Sequence, residues 1–242
     1  MSSTRLPGKV LLPLGGKTVL EHIIERVKDS KKIDKIIVAT SDRKEDDRIV
    51  QLCQKANIDC FRGSENDVLD RYYQAAKYFR FLNIARITGD CPLIDPEIVD
   101  QVIELYQKEN LDYATNVIPP TFPAGLDVEI FFFKALKKAW QETKMKSEKE
   151  HVTIYMWQNP KLFRQKHLNN PIDLSGKRWT LDNPEDYEFI KKIYDNLYPI
   201  KPKFRMNDIL EFLGANPELE KINKSIKRNE GLEKSLKEDK VI

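Results

Sequence analysis

The sequence is poor in the features that mark several large protein classes. Only three cysteines occur among its 242 residues, Cys53, Cys60 and Cys91, and none forms a CxxC pair. Their odd number and spacing argue against a disulfide framework or a thiolate zinc site, so three mostly buried thiols are expected. No uninterrupted apolar run exceeds four residues, far short of the roughly 18 that a membrane-spanning helix needs. The opening MSSTRLPGK is polar and carries a Pro-Gly pair, unlike the apolar core of a signal peptide. A cytoplasmic protein without membrane association is expected. An excess of one charge is missing as well: 41 Lys and Arg face 38 Asp and Glu, a net charge of +3 with the signs interspersed. That balance is too weak to suggest a nucleic-acid or anionic-membrane partner. The three histidines, His22, His151 and His167, show no metal-ligand spacing, and no GxxxxGK[ST] phosphate loop occurs.

What is present is the composition of a soluble globular chain, 40% hydrophobic and 33% charged. Helix and strand signals alternate. Leu20, Ile23, Ile24 and Val27 recur with the period of an amphipathic helix after the turn signal Leu14-Gly15-Gly16. The run Ile36-Ile37-Val38-Ala39 reads as a strand buried on both faces. Asp46 is expected to cap a helix burying Ile49, Leu52 and Cys53, with a short strand at Cys60-Phe61. A third helix over 68–79, a strand at 84–87 and a helix opened by Asp95-Pro96 follow. Repetition of βα units predicts an α/β fold: a three-layer, mainly parallel open sheet. VIPPTFPAG, with three prolines and a glycine, then breaks the pattern, and 117–170 is expected to form a small lobe or arm over the sheet's carboxyl edge. Strands are predicted at 125–133, 162–166 and 178–181, and helices at 133–142, 151–158 and from Pro184. The body is assigned to 1–200. The tail, 201–242, reads as helical and mixed in charge, packing either on the body or on a partner subunit. Trp140, Trp157 and Trp179 read as core anchors, and Phe131-Phe132-Phe133 as core or a dimer face.

Three groups of residues are suited to chemistry. Ser3, Arg5 and Lys9 lie in a small hydroxyl-rich loop that suits either a polyphosphate or a solvated terminus. Thr88-Gly89-Asp90 directly follows a buried strand, where open α/β sheets bind ligands; Asp90 suits Mg²⁺ or a tight turn. Asp182 has the same relation to its own strand, as metal ligand or cap. Ala39 and Ser41 end another strand and can face a base or ribose, or belong to a charged loop. Arg71 is either a ligand contact or half of a surface ion pair.

SSTRLPGK, VATSD, RITGDCPLIDP, GLDVEIF, EHVTIYMW and WTLDNPED occur in this order. Together they resemble the cytidylyltransferase family that activates acidic sugars such as 3-deoxy-manno-octulosonate and sialic acid. The branch named for spore coat polysaccharide biosynthesis protein F is the most similar. The resemblance implies the Rossmann-like fold of nucleotide-diphospho-sugar transferases. It further implies transfer of CMP from CTP to a sugar, with release of pyrophosphate, in surface polysaccharide biosynthesis. It puts catalytic roles on Arg5, Lys9, Asp90 and Asp182, and a metal, Mg²⁺, on Asp90 and Asp182. Nucleotide contacts fall on Ser3, Arg5, Lys9, Ala39, Ser41, Arg71 and Gly89, and acceptor contacts on Asp127, Glu129 and His151.

The family opens with a buried apolar strand and an arginine ahead of SSTRLPGK, neither of which precedes this motif here. A start upstream of Met1 is therefore expected. A glycosyltransferase or another sugar-nucleotide transferase, and a noncatalytic partner protein, are the competing readings. A homodimer is compatible with the sequence.

Overall fold

Local signals set the first helix before any packing does. In the computed structural model, which describes residues 3–241, a short hairpin of β1 (Pro13–Leu14) and β2 (Lys17–Thr18) leads into α1 (Val19–Lys28). Thr18 and Glu21 close a capping box at its start: Glu21 N–H donates to Thr18 Oγ1 at 3.3 Å and Thr18 N–H to Glu21 Oε2 at 2.7 Å. The predicted stripe of Leu20, Ile23, Ile24 and Val27 is buried. Arg26 on the same helix is buried too. Its Nε donates to the Ile94 carbonyl at 2.6 Å and one terminal nitrogen to the Phe204 carbonyl at 2.9 Å, so a cation in the core finds the acceptors that its burial demands.

The remaining elements follow as β3 (Ile37–Ser41), α2 (Asp47–Lys55), β4 (Asp59–Gly63), α3 (Val68–Tyr78), β5 (Asn83–Arg86) and α4 (Pro96–Lys108). Then come β6 (Tyr113–Thr115), β7 (Glu129–Phe132), α5 (Phe133–Glu142), α6 (Lys146–His151), α7 (Ile154–Gln158) and β8 (Gln165–His167). The chain ends with α8 (Pro184–Leu197), α9 (Met206–Ala215) and α10 (Glu230–Lys237).

β3 pairs in parallel with β4, while a second sheet has the order β5-β7-β6-β8. In that sheet β7 is antiparallel to both β5 and β6, and β8 is parallel to β6. Three of its four strands thus run one way. β7 and β8 come from the stretch expected to stand over the sheet as an arm; they are inside the sheet instead, and Phe131 is core. Among the described residues β3 and β5 each pair on one edge only. Residues 36–41 and 83–89 both line one cavity of about 1230 Å³, together with Val10, Ile23, Ile24 and Ile103.

Three expectations need correction. Asp46 precedes α2 but does not cap it; its carboxylate accepts from the Thr40 hydroxyl (2.5 Å), the Ser41 hydroxyl (2.7 Å) and Ser41 N–H (2.9 Å). Residues 178–181 form no strand, only a bridge between Ala124 and Arg178, because the segment is shared between two partners rather than paired along one. The helix expected over 151–158 is two short helices, α6 and α7, divided at Val152 with φ +63°. The tail packs on its own body: the Lys146 N–H donates to the Lys240 carbonyl at 2.9 Å, and Met145 bridges Val241.

The largest buried cluster joins α1, α4 and α8 with Trp179, Leu181 and Phe204. A second one packs α3 against α5 and α7, with Trp140 stacked on Tyr73. Cys53 and Cys91 are buried thiols, and Cys60 is half-buried.

Candidate active site

The site is assembled by residues 178–182, which run between the loop after β5 and the proline-rich segment. Trp179 N–H donates to the Ala124 carbonyl at 2.7 Å, and Leu181 N–H to the Asp90 carbonyl at 2.8 Å. Gly125 makes the first approach possible. Its φ is +103°, and a Cβ there would meet Thr180 N and the Trp179 carbonyl carbon and oxygen at 2.6 Å, which no side chain tolerates. Asp90, Asp127 and Asp182, distant in sequence, are thereby laced into one region.

Lys9 lies between two of them. The turn at Gly8 (φ +68°) starts the 3₁₀ segment Lys9–Leu11, and the Lys9 ammonium reaches Asp182 Oδ1 at 2.8 Å and Asp90 Oδ2 at 3.4 Å. Burial alone would lower the lysine's pKa, but the two carboxylates outweigh it and hold it above its usual value. Asp90 shows the converse. Burial opposes its charge, yet Lys9 and the Thr88 hydroxyl, which donates to Oδ1, keep its carboxyl below the usual range. Arg5 lies at the mouth, 3.5 Å from Asp182 Oδ1 and 3.1 Å from Glu230. Ser3 accepts from Leu6 N–H and shapes the same loop.

Sequence reasoning missed the residues that hold Asp182. Asp186 accepts from the N–H groups of Asp182 and Asn183, each at 3.0 Å, and from Arg178 Nε and a terminal nitrogen, each at 2.8 Å. Arg178 in turn reaches Asp182 Oδ2 at 3.4 Å. The spacing Asn183-Pro184-Glu185-Asp186 is a cap signature that could have flagged Asp186; nothing local marks Arg178.

On the other side, Asp127 pairs with Arg228 at 3.0 Å and leaves 31% of its side chain open. Desolvation in its recess, with Asp90 and Glu129 nearby, pushes its carboxyl up to about 6 despite Arg228. Glu129 is withdrawn: it accepts from the Tyr113 hydroxyl (2.7 Å), the Thr153 hydroxyl (2.6 Å) and Arg86. His151 ends α6, and burial lowers its pKa; its Nε2 is buried with no hydrogen-bond partner among the described residues. Ala39, Ser41, Arg71 and Gly89 all line the 1230 Å³ cavity. The Ser41 hydroxyl is committed to Asp46, and Arg71 donates to the Ser64 carbonyl at 3.0 Å.

No group of three or more His, Cys, Asp or Glu suited to a metal occurs among the described residues. The pair Asp90 and Asp182 nonetheless fits a hard cation, because both present carboxylate oxygens to the same positive charge, that of Lys9. Among the described residues no helix is long and apolar enough to cross a membrane.

A family model described as cytidylyltransferase matches residues 1–221. The chain belongs to the cytidylyltransferase family. It is 34% identical over 230 residues to the spore coat polysaccharide biosynthesis protein SpsF of Bacillus subtilis, covering 90% of this chain and 92% of that one. The solved structure of a cytidylyltransferase from Leptospira borgpetersenii superposes with a TM-score of 0.85 at 37% identity, covering 90% of this chain and 92% of that one. A CMP:2-keto-3-deoxy-manno-octonic acid synthetase complexed with CTP shares the fold at 17% identity, with a TM-score of 0.61, covering 79% of this chain and 93% of that one. This cytidylyltransferase-family chain thus has the α/β, Rossmann-like architecture of nucleotidyltransferases, with its acidic and basic side chains gathered where that architecture exposes strand ends.

Proposed function

We propose that the protein transfers CMP from CTP to a hydroxyl of an acidic or related sugar, releasing pyrophosphate, in the synthesis of a surface polysaccharide. The observation that carries this reading is the Lys9 ammonium held between Asp90 and Asp182 with Arg5 at the mouth. Such an alternation of charges suits a triphosphate and its counter-ion. The family supports the nucleotide, and the similarity to the spore coat polysaccharide biosynthesis protein SpsF supports the pathway class.

In the reaction the acceptor oxygen forms a bond to the α-phosphorus while the bond to the bridging oxygen of the pyrophosphate breaks. The proton of the acceptor hydroxyl passes to solvent or a carboxylate of the cleft. Lys9 and Arg5 face the oxygens that gain charge as pyrophosphate departs. Asp90 and Asp182 would hold Mg²⁺, which when bound supplies neutralisation of phosphate charge. Arg178 and Asp186 keep Asp182 in place, so most of the rate enhancement derives from orientation and fixed charge. Ala39, Ser41, Arg71 and Gly89 form the nucleotide side, and Asp127 with His151 the acceptor side; Glu129 supports that side from behind.

The test is pyrophosphate release by purified protein with Mg²⁺ and candidate sugar acids, each nucleoside triphosphate being supplied alone. Release with CTP, dependent on an acceptor, is expected. Transfer of a sugar from a preformed nucleotide sugar, with no pyrophosphate from CTP, would favour a glycosyltransferase instead.

A further inference from the structure

Beyond residue 221, where the family match ends, the chain runs on as a strap that touches Arg5, Asp127, Arg178 and Asp186. Asn223 Nδ2 donates to the Arg178 carbonyl at 3.0 Å and to Asp186 Oδ1 at 2.9 Å. The Lys227 carbonyl accepts from Arg178 at 3.1 Å, and Glu230 pairs with Arg5. Helix α10 then lies along α6, where Ser147 N–H donates to Asp239 at 2.9 Å and the Ser235 hydroxyl to Glu150 at 3.1 Å. α10 contains no buried residue. Apolar burial, the usual reason for a tail to dock, therefore does not account for its path; polar contacts, to Arg5 at one end and to α6 along its length, do.

Arg228 of this strap turns inward, as does Asn223. One terminal nitrogen donates to the Phe122 carbonyl at 2.8 Å and the other to Asp127 Oδ1 at 3.0 Å. A planar guanidinium held at two points fixes the direction of the carboxylate it grips. Phe122 and Asp127 flank the Gly125 approach, so the same fork also ties the proline-rich segment to the strap.

We propose that Arg228 is a positioning residue of the acceptor side, aiming the Asp127 carboxylate so that it accepts hydrogen bonds from hydroxyl groups of a polyhydroxylated acceptor. The inference rests on the transfer reading above. It extends the functional site past residue 221, where the family match ends.

The experiment compares wild type, Arg228→Met, Arg228→Lys, Asp127→Asn and the Arg228→Met/Asp127→Asn double variant. Acceptor kcat/KM is measured by pyrophosphate release with CTP, and CTP affinity by calorimetry. Arg228→Met should lower acceptor kcat/KM about tenfold to a hundredfold, mainly through KM, with CTP affinity changed less than about twofold. Arg228→Lys should recover part of the loss. In the Asp127→Asn background, Arg228→Met should cost little more, because its effect passes through Asp127. If Arg228→Met unfolds, Arg228→Gln, which keeps a donor for Phe122 but no charge, takes its place. Equal losses in both backgrounds, or an equal loss of CTP affinity, would overturn the proposal. Wild-type activity with CTP and an unaffected Arg228→Met would overturn it alone, whereas no release by wild type would overturn the transfer reading and this inference together.

Discussion

Lys9 is the residue on which the charge balance of the site turns. Replacing it with methionine leaves Asp90 and Asp182 facing each other across an apolar group, and removes the cation that meets the leaving pyrophosphate in the proposed reaction. Lys9→Met should therefore lower pyrophosphate release by about 10²-fold or more, with the circular dichroism spectrum unchanged. Asp46 makes a separate prediction. Burial opposes its charge, but the Thr40 and Ser41 hydroxyls outweigh it and lower its carboxyl to about 2. A carboxyl depressed in the folded state stabilises fully above its unfolded value and loses that contribution as pH falls towards the folded one. Urea unfolding should thus show stability falling between about pH 4 and pH 2, worth about 2 kcal/mol, and Asp46→Asn should flatten that window. Asp90 and Asp182 were legible because each follows an apolar, strand-like run. Arg228 was not: its carboxylate partner is 101 residues away, and an arginine in a charged tail carries no local sign of turning inward.

Among the elements, helices were read most directly. The predicted 133–142 helix is α5 to the residue, since its buried positions recur at helical spacing and Thr143 leaves helical geometry. Residues 178–181 misled because alternation marks a strand only when a ladder exists to receive it; here Ala124 lies on one side and Asp90 on the other. Gly125 makes that arrangement possible. Gly125→Ala should cost about 2–4 kcal/mol, from a strained positive φ and the contact with Thr180 and Trp179, measurable as a lower urea midpoint. Activity should fall as well, since the displaced segment carries Asp182. An unchanged midpoint would mean that the Ala124–Trp179 contact is dispensable.

At the scale of the whole molecule, βα repetition was enough for the fold class, but the order of strands depends on pairings far apart in sequence, and β7 entered the sheet unforeseen. Among the described residues the cavity between β3 and β5 has one unpaired strand edge on each side, and its lining mixes apolar groups such as Val38 and Ile84 with polar ones such as Ser41 and Arg71. About six apolar residues fused ahead of Ser3, with an arginine, are expected to lie there as a strand, protect the amides of β3 and β5 from hydrogen exchange and raise the urea midpoint; no change in either would show that the edges take no strand from that direction. The proposed part of Lys9, Asp90 and Asp182 in nucleotidyl transfer from CTP is tested by mass analysis of the products formed from CTP, Mg²⁺ and a panel of sugar acids by wild type and by Asp182→Asn. A CMP-linked sugar and pyrophosphate in equal amounts are expected with wild type, and a loss of about 10²-fold or more with the variant. A CMP-linked sugar formed equally well by Asp182→Asn, or CTP cleaved only to CDP and phosphate by wild type, would contradict it.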